Sequence, residues 1–201
     1  MSWRRGVLSL LAGLAAAGSV VVACAVSGRP GHTPATTRVS PFQALVPAPA
    51  PAGWPRLPLP NRTAVLSYPP EMRRVLSDSD AVSAARVGRG RAYLLYLNAT
   101  PRQGGENLRN WAVYRLRVLR AEDASWARED AAATGLAFLG GTGSCVIDDY
   151  LTRIGAHHYQ ELACLVKGRA GASVIVAAAP AARWAWARPV LERAVAAYRV
   201  R

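Results

Sequence analysis

The residues best suited to chemistry lie between Gly143 and Val166. Cys145 and Cys164 are equidistant from the junction of Ile154 and Gly155, as cross-strand partners would be in a hairpin with a two-residue turn there. In that register the two sulfurs meet, and Asp148 faces Glu161, Tyr150 faces Tyr159 and Thr152 faces His157, these last three pairs on one side of the strands. Opposed carboxylates repel unless a cation lies between them. Three readings stay open. Asp148, His157 and Glu161 could bind a divalent metal, Arg115 from a helix described below could supply the positive charge, or the cluster is an ordinary solvated face. Other catalytic signatures are weak. A serine hydrolase needs a base beside its nucleophile, yet His32 falls in a proline-rich stretch, and neither G-x-S-x-G nor S-x-x-K accompanies His157 and His158. The run from Gly140 to Ser144 has the glycines of a phosphate loop, but the following Cys-Val-Ile reads as strand, so a turn is expected.

The third cysteine sets the compartment. Met1 to Arg5 carries two arginines and no acid, and an uncharged run rich in Leu, Ala and Val follows, the n-region and h-region pattern of a secretory signal. Val21-Val22-Ala23-Cys24 then resembles the lipobox of bacterial lipoprotein signal peptides, which implies lipidation of Cys24 and removal of residues 1–23. The alternative is an uncleaved anchor, since about 20 apolar residues span a bilayer. Either reading keeps Arg4 and Arg5 inside and the rest outside. With Cys24 lipidated, Cys145 and Cys164 remain as a pair in a place where thiols oxidise, so one disulfide is expected, closing a loop worth roughly 3 kcal/mol. Nothing like C-x-x-C suggests a redox-active pair.

The elements that must position these residues follow a tether. Nine of the 14 prolines lie from Pro30 to Pro60, and residues 24–58 are read as a lipidated Cys and a disordered Pro/Ala-rich tether, with a single domain over 59–201. Thr63 to Tyr68, Ala81 to Arg86 and Arg91 to Asn98 read as strands. Asn107 to Arg120 has helical periodicity, with Asn107 as cap, Trp111 in the apolar arc and Arg115 intruding into it. Trp111 and Arg115 are therefore candidates for contact with a ligand. A short strand near Phe138, then Ser144 to Ile154, His157 to Val166 and Ala172 to Ala179 come next, and a last helix begins around Pro189. Asn61-Arg62-Thr63 and Asn98-Ala99-Thr100 are read as turns.

This order, with the runs YLNATPRQGGENLRNW, GSCVIDDY, HYQELACLV and SVIVAAAP, resembles the Mog1/PsbP-like superfamily, and in particular actinobacterial secreted lipoproteins of unassigned activity. The resemblance implies an α+β fold, an antiparallel sheet flanked by helices, and no enzyme active site or cofactor. With 25 Lys+Arg against 12 Asp+Glu and a formal charge of +13, anionic lipid, wall polymer or an envelope protein is the expected partner, although the arginines could equally reflect compositional bias. No recognition helix, zinc finger or RNP-like motif points to nucleic acid. The expected function is a non-catalytic binding or accessory domain, lipid-anchored at the outer face of the cytoplasmic membrane. The alternative is an extracytoplasmic metal-binding protein or metal-dependent enzyme built on the hairpin cluster.

Overall fold

A computed structural model describes residues 40–201, apart from 79, 90 and 91. Cys24, the export segment and the first part of the tether lie outside the described residues. Short strands β1 (Arg56–Pro58), β2 (Ala64–Ser67), β3 (Arg73–Val75), β4 (Val82–Val87) and β5 (Tyr93–Pro101) precede the first helix, α1 (Trp111–Val118). A π-helical turn, Leu119–Asp123, leads from α1 into β6 (Ala124–Phe138). Then come β7 (Gly141–Thr152), β8 (His158–Gly168), β9 (Gly171–Pro180), helix α2 (Trp184–Ala196) and β10 (Arg199–Val200).

Seven strands pair antiparallel in the order β3-β4-β5-β9-β8-β7-β6, and a three-stranded sheet, β1-β2-β10, stands beside them. The fold class is α+β, with a helix on each face of the large sheet. Strand alternation decides what each face buries. Cys145, Ile147, Leu162, Cys164, Ile175 and Ala177 point toward α2, whose Trp184, Ala187, Leu191 and Val195 complete the main core. Val146, Ala163, Leu165 and Val176 point the other way and pack under Trp111 of α1. The apolar run of β9 is thus central and covered on both sides, which is why it lacks alternation.

Several expectations are corrected. The folded unit starts well before residue 59: Phe42 and Leu45 are buried in the main core, Trp54 and Leu57 pack against it, and β1 pairs with β2. Proline content reads as tether, but four large apolar side chains among those prolines have a core to enter. The short strand near Phe138 is the end of a long edge strand, β6. Helix α2 begins at Trp184, with Pro189 inside it, rather than at Pro189. Helix α1 begins at Trp111, and Asn107 instead makes a turn before it, its Oδ1 accepting from the backbone N–H of Arg109 and Asn110. Asn61 sits in a turn as expected, whereas Asn98 is inside β5, donating to Ser83 Oγ at 2.9 Å.

Candidate functional site

The β7–β8 register is the one expected: Cys145 opposite Cys164, Asp148 opposite Glu161 and Tyr150 opposite Tyr159. Cys145 and Cys164 form a disulfide on the α2 side. The turn is wider than two residues, since β7 ends at Thr152 and β8 starts at His158, with Gly155 and Ala156 both at positive φ. Thr152 and His157 still close it, their backbone N–H groups donating to the His157 carbonyl and to Thr152 Oγ1.

The charge between the two carboxylates comes from α1. Arg115 donates to Glu161 through Nε at 2.7 Å and Nη2 at 3.0 Å, a bidentate pair in which Glu161 is almost fully buried. Burial works against the guanidinium charge, but Glu161 outweighs it and Arg115 is held above its usual range. Asp148 receives no such partner. It is fully buried, and neither carboxyl oxygen has a hydrogen bond among the described residues. Desolvation first, and then the Glu161 charge, push Asp148 up to about 8, so its carboxyl is mostly protonated at neutral pH.

This arrangement corrects the metal reading. Asp148, His157 and Glu161 do not assemble as ligands, and no group of three potential ligands occurs among the described residues. Arg115 occupies the carboxylate that a metal would need. His157 is exposed at the turn, edge-on to Tyr159. His158 lies on the opposite face of β8, where strand alternation puts it, paired with Asp149.

Trp111 and Arg115, the two candidate ligand contacts, do share a cleft. It lies between α1 and the large sheet and has a volume of about 760 Å³. Val174, Val176 and Ala178 of β9 give an apolar floor strip, flanked by Tyr96 and Asn98 of β5 and by Tyr150 and Glu161. Helix α1 forms the wall with Trp111, Tyr114, Arg115 and Val118, and the lining also holds exposed Asp78, Glu122 and Asp123 and buried Glu106. Trp111 is mainly structural there: it is buried and its indole N–H donates to the Ala163 carbonyl at 2.9 Å. Tyr96 has its hydroxyl 3.3 Å from Ser83 Oγ, and burial raises its pKa. Sequence reasoning passed over Tyr96, Asp78, Glu106 and Glu122. Besides Glu161, four of the chain's twelve acids line this cleft, a grouping that only the fold makes.

The geometry matches a known architecture. The solution structure of the cyanobacterial PsbP protein, CyanoP, from Synechocystis sp. PCC 6803 aligns with a TM-score of 0.52, at 16% identity, over 76% of this chain and 95% of that one. The fold is PsbP-like. Lower-scoring similarities are to LpqN, involved in cell envelope biogenesis of Mycobacterium tuberculosis, with a TM-score of 0.37 at 13% identity over 76% of this chain and 80% of that one, and to PA94 from Pseudomonas aeruginosa, of unknown function, with a TM-score of 0.41 at 8% identity over 71% and 94%. No family profile matches the sequence, and no curated protein matches it. The PsbP-like sandwich therefore accounts for the two helix-covered sheet faces, and what the cleft does has to be argued from its own residues.

Proposed function

We propose that this protein is a lipid-anchored extracytoplasmic protein whose PsbP-like domain binds a ligand or an envelope partner, without catalysis, in the cleft between α1 and the sheet. The observation that carries this reading is the cleft itself: a concave surface with an apolar floor, tyrosine sides and a polar rim, the usual make-up of a binding site. Its lining contains Thr but no Ser, Cys or His, and Arg115, its best-placed cation, is already committed to Glu161. The Cys145–Cys164 disulfide supports an oxidising compartment, and the lipobox-like Val21 to Cys24 supports attachment there through two or more acyl chains.

Two measurements test the reading. Mass spectrometry of the mature chain is expected to find lipid-modified Cys24 as the first residue, and an unmodified chain in the cytosol would overturn the anchor. A photoreactive benzoylphenylalanine at Tyr96, inside the cleft, is expected to capture a defined ligand or partner in cells. The same residue at Val113, exposed on α1, should not. Equal capture at both positions, or none at Tyr96, counts against the cleft.

A further inference from the structure

We propose that Asp148 is a proton switch for helix α1: its neutral carboxyl leaves Arg115 forked on Glu161 and α1 seated as the wall of the cleft, and its ionisation loosens α1 from the sheet. The consequence for ligand access rests on the binding reading above, whereas the movement of α1 does not. The first observation is geometric. Asp148 and Glu161 face each other across β7 and β8, on the sheet face that α1 covers, and they are 0% and 1% exposed. Arg115 takes both oxygens of Glu161, while neither oxygen of Asp148 has a hydrogen-bond partner among the described residues. A carboxylate that ionises there has lost its water without replacement, so it has to draw in a cation. The surrounding groups leave one choice. Glu161 faces Asp148 from β8, Glu129 faces it from β6 with Asp130 beside it, Tyr150 lies two residues along β7, and Arg115 reaches down from α1. Arg115 is the one cation of this set. It cannot fork on both carboxylates, because neighbouring strands stand about 4.8 Å apart. Loss of the Asp148 proton therefore sets a second negative charge against the first and pulls Arg115 off its seat. Burial, and then the Glu161 charge, push the Asp148 carboxyl up to about 8, which places the change on the alkaline side of neutral.

The second observation is how lightly α1 is held. It is eight residues long, no side chain caps its N-terminus, and Trp111 is its only buried residue. Val113, in the middle of it, is 74% exposed. After Val118 the coil widens into the π-helical turn Leu119–Asp123, a rare geometry found where helices bend. The two ends are packed, Trp111 on the sheet and Leu119 beside Ala124 and Ala127. Between them, the Arg115–Glu161 pair is the polar tie of α1 to the sheet. A helix held in this way responds to a charge placed beside that tie.

The test is hydrogen exchange of the full chain in non-ionic detergent, parent against Asp148→Asn, compared at equal pH so that intrinsic exchange rates cancel. At about pH 6, residues 108–123 are expected to exchange alike in the two chains. At about pH 9 the parent should exchange there about tenfold faster than the variant, over and above any difference in residues 172–179 of β9, which report global opening. Asp148→Leu, which buries no polar atom, gives the same comparison where the Asn amide is itself costly. If neither variant folds, the parent decides, by whether residues 108–123 lose protection ahead of residues 172–179 as pH rises. A change in α1 no larger than that in β9, or none at all, overturns the proposal. Photocapture at Tyr96 is independent of this result. Its failure sinks binding in the cleft and leaves the switch standing, whereas capture at Tyr96 with an unresponsive α1 sinks the switch alone.

Discussion

Arg115 pairs with only one of two buried carboxylates, Glu161, and leaves Asp148 to be neutralised by burial. Replacing Arg115 with Leu leaves the buried Glu161 carboxyl without its partner, and is expected to cost about 3–5 kcal/mol in urea unfolding. Converting Glu161 to Leu in the same chain should restore most of that loss, and an Arg115→Leu variant as stable as the parent would mean that the pair contributes nothing. Asp148 makes a pH-dependent contribution of the opposite kind. Its folded value of about 8 lies above the ordinary 3.8, so between those limits the folded chain holds a proton that the unfolded chain has released. Stability is therefore fully present below about pH 4 for this group and falls as pH rises toward 8, by at most about 1.4 kcal/mol per pH unit. Asp148→Asn, an isosteric neutral group, is expected to flatten that fall and to raise the melting temperature at pH 8 relative to the parent. A parent chain with equal melting temperatures at pH 5 and pH 8, once other groups are matched by the variant, speaks against a protonated Asp148.

The elements are held by close backbone approaches as much as by side chains. At the β6–β7 turn, Gly140 has φ of 87° and Gly141 faces the Lys167 carbonyl of β8, with a Val200 methyl group of β10 close by. A Cβ at Gly141 meets backbone that cannot move without displacing β8. Gly141→Ala is therefore expected to cost about 3 kcal/mol, read as a drop in urea midpoint with unchanged slope. An alanine variant with the parent's midpoint would show that the strands give way easily. The glycines of this turn were legible in the sequence, and so were β7, β8 and β9, whose β-branched and apolar runs are bounded by turn residues. The β7–β8 register followed from the cysteine spacing alone, and with it the meeting of Asp148 and Glu161. Strand β6 was not legible. Its sequence, Ala124 to Phe138, mixes Arg-Glu-Asp with six alanines and a glycine, has three register shifts against β7, and pairs on one edge only. Its strand state is imposed by β7, which outweighs weak local preference. The cleft was half legible: Arg115 stood out as a charge in an apolar arc, whereas Tyr96, Glu106 and Asp78 come together only through the sheet order β4-β5-β9 and the loops around it.

At the scale of the molecule, the boundary between stalk and domain decides how much chain the fold needs. Composition puts that boundary near residue 58, because prolines dominate the preceding stretch and remove backbone donors. The structure puts the chain from Phe42 onward inside the folded unit. Phe42 and Leu45 enter the core, the Ala48 N–H donates to the Ala196 carbonyl, Arg188 donates to the Pro41 carbonyl, and Trp54 and Leu57 pack against the same core. Proline-rich chain without ladder hydrogen bonds can still be ordered when its few large apolar residues are spaced to reach a groove. Burying Phe42 and Leu45 alone is worth about 4 kcal/mol, a large share of the 5–15 kcal/mol typical of a domain. A chain starting at residue 40 is therefore expected to unfold cooperatively with the stability of the full chain. One starting at residue 59 should lose at least about 10 °C in melting temperature, because it lacks β1 as well as these side chains. The double variant Phe42→Ala, Leu45→Ala in the full chain separates the two causes: it keeps β1 and the linker, and a loss of about 4 kcal/mol there assigns the effect to core burial. If that variant and the chain from residue 59 both melt with the parent, the fold does not depend on residues 40–58.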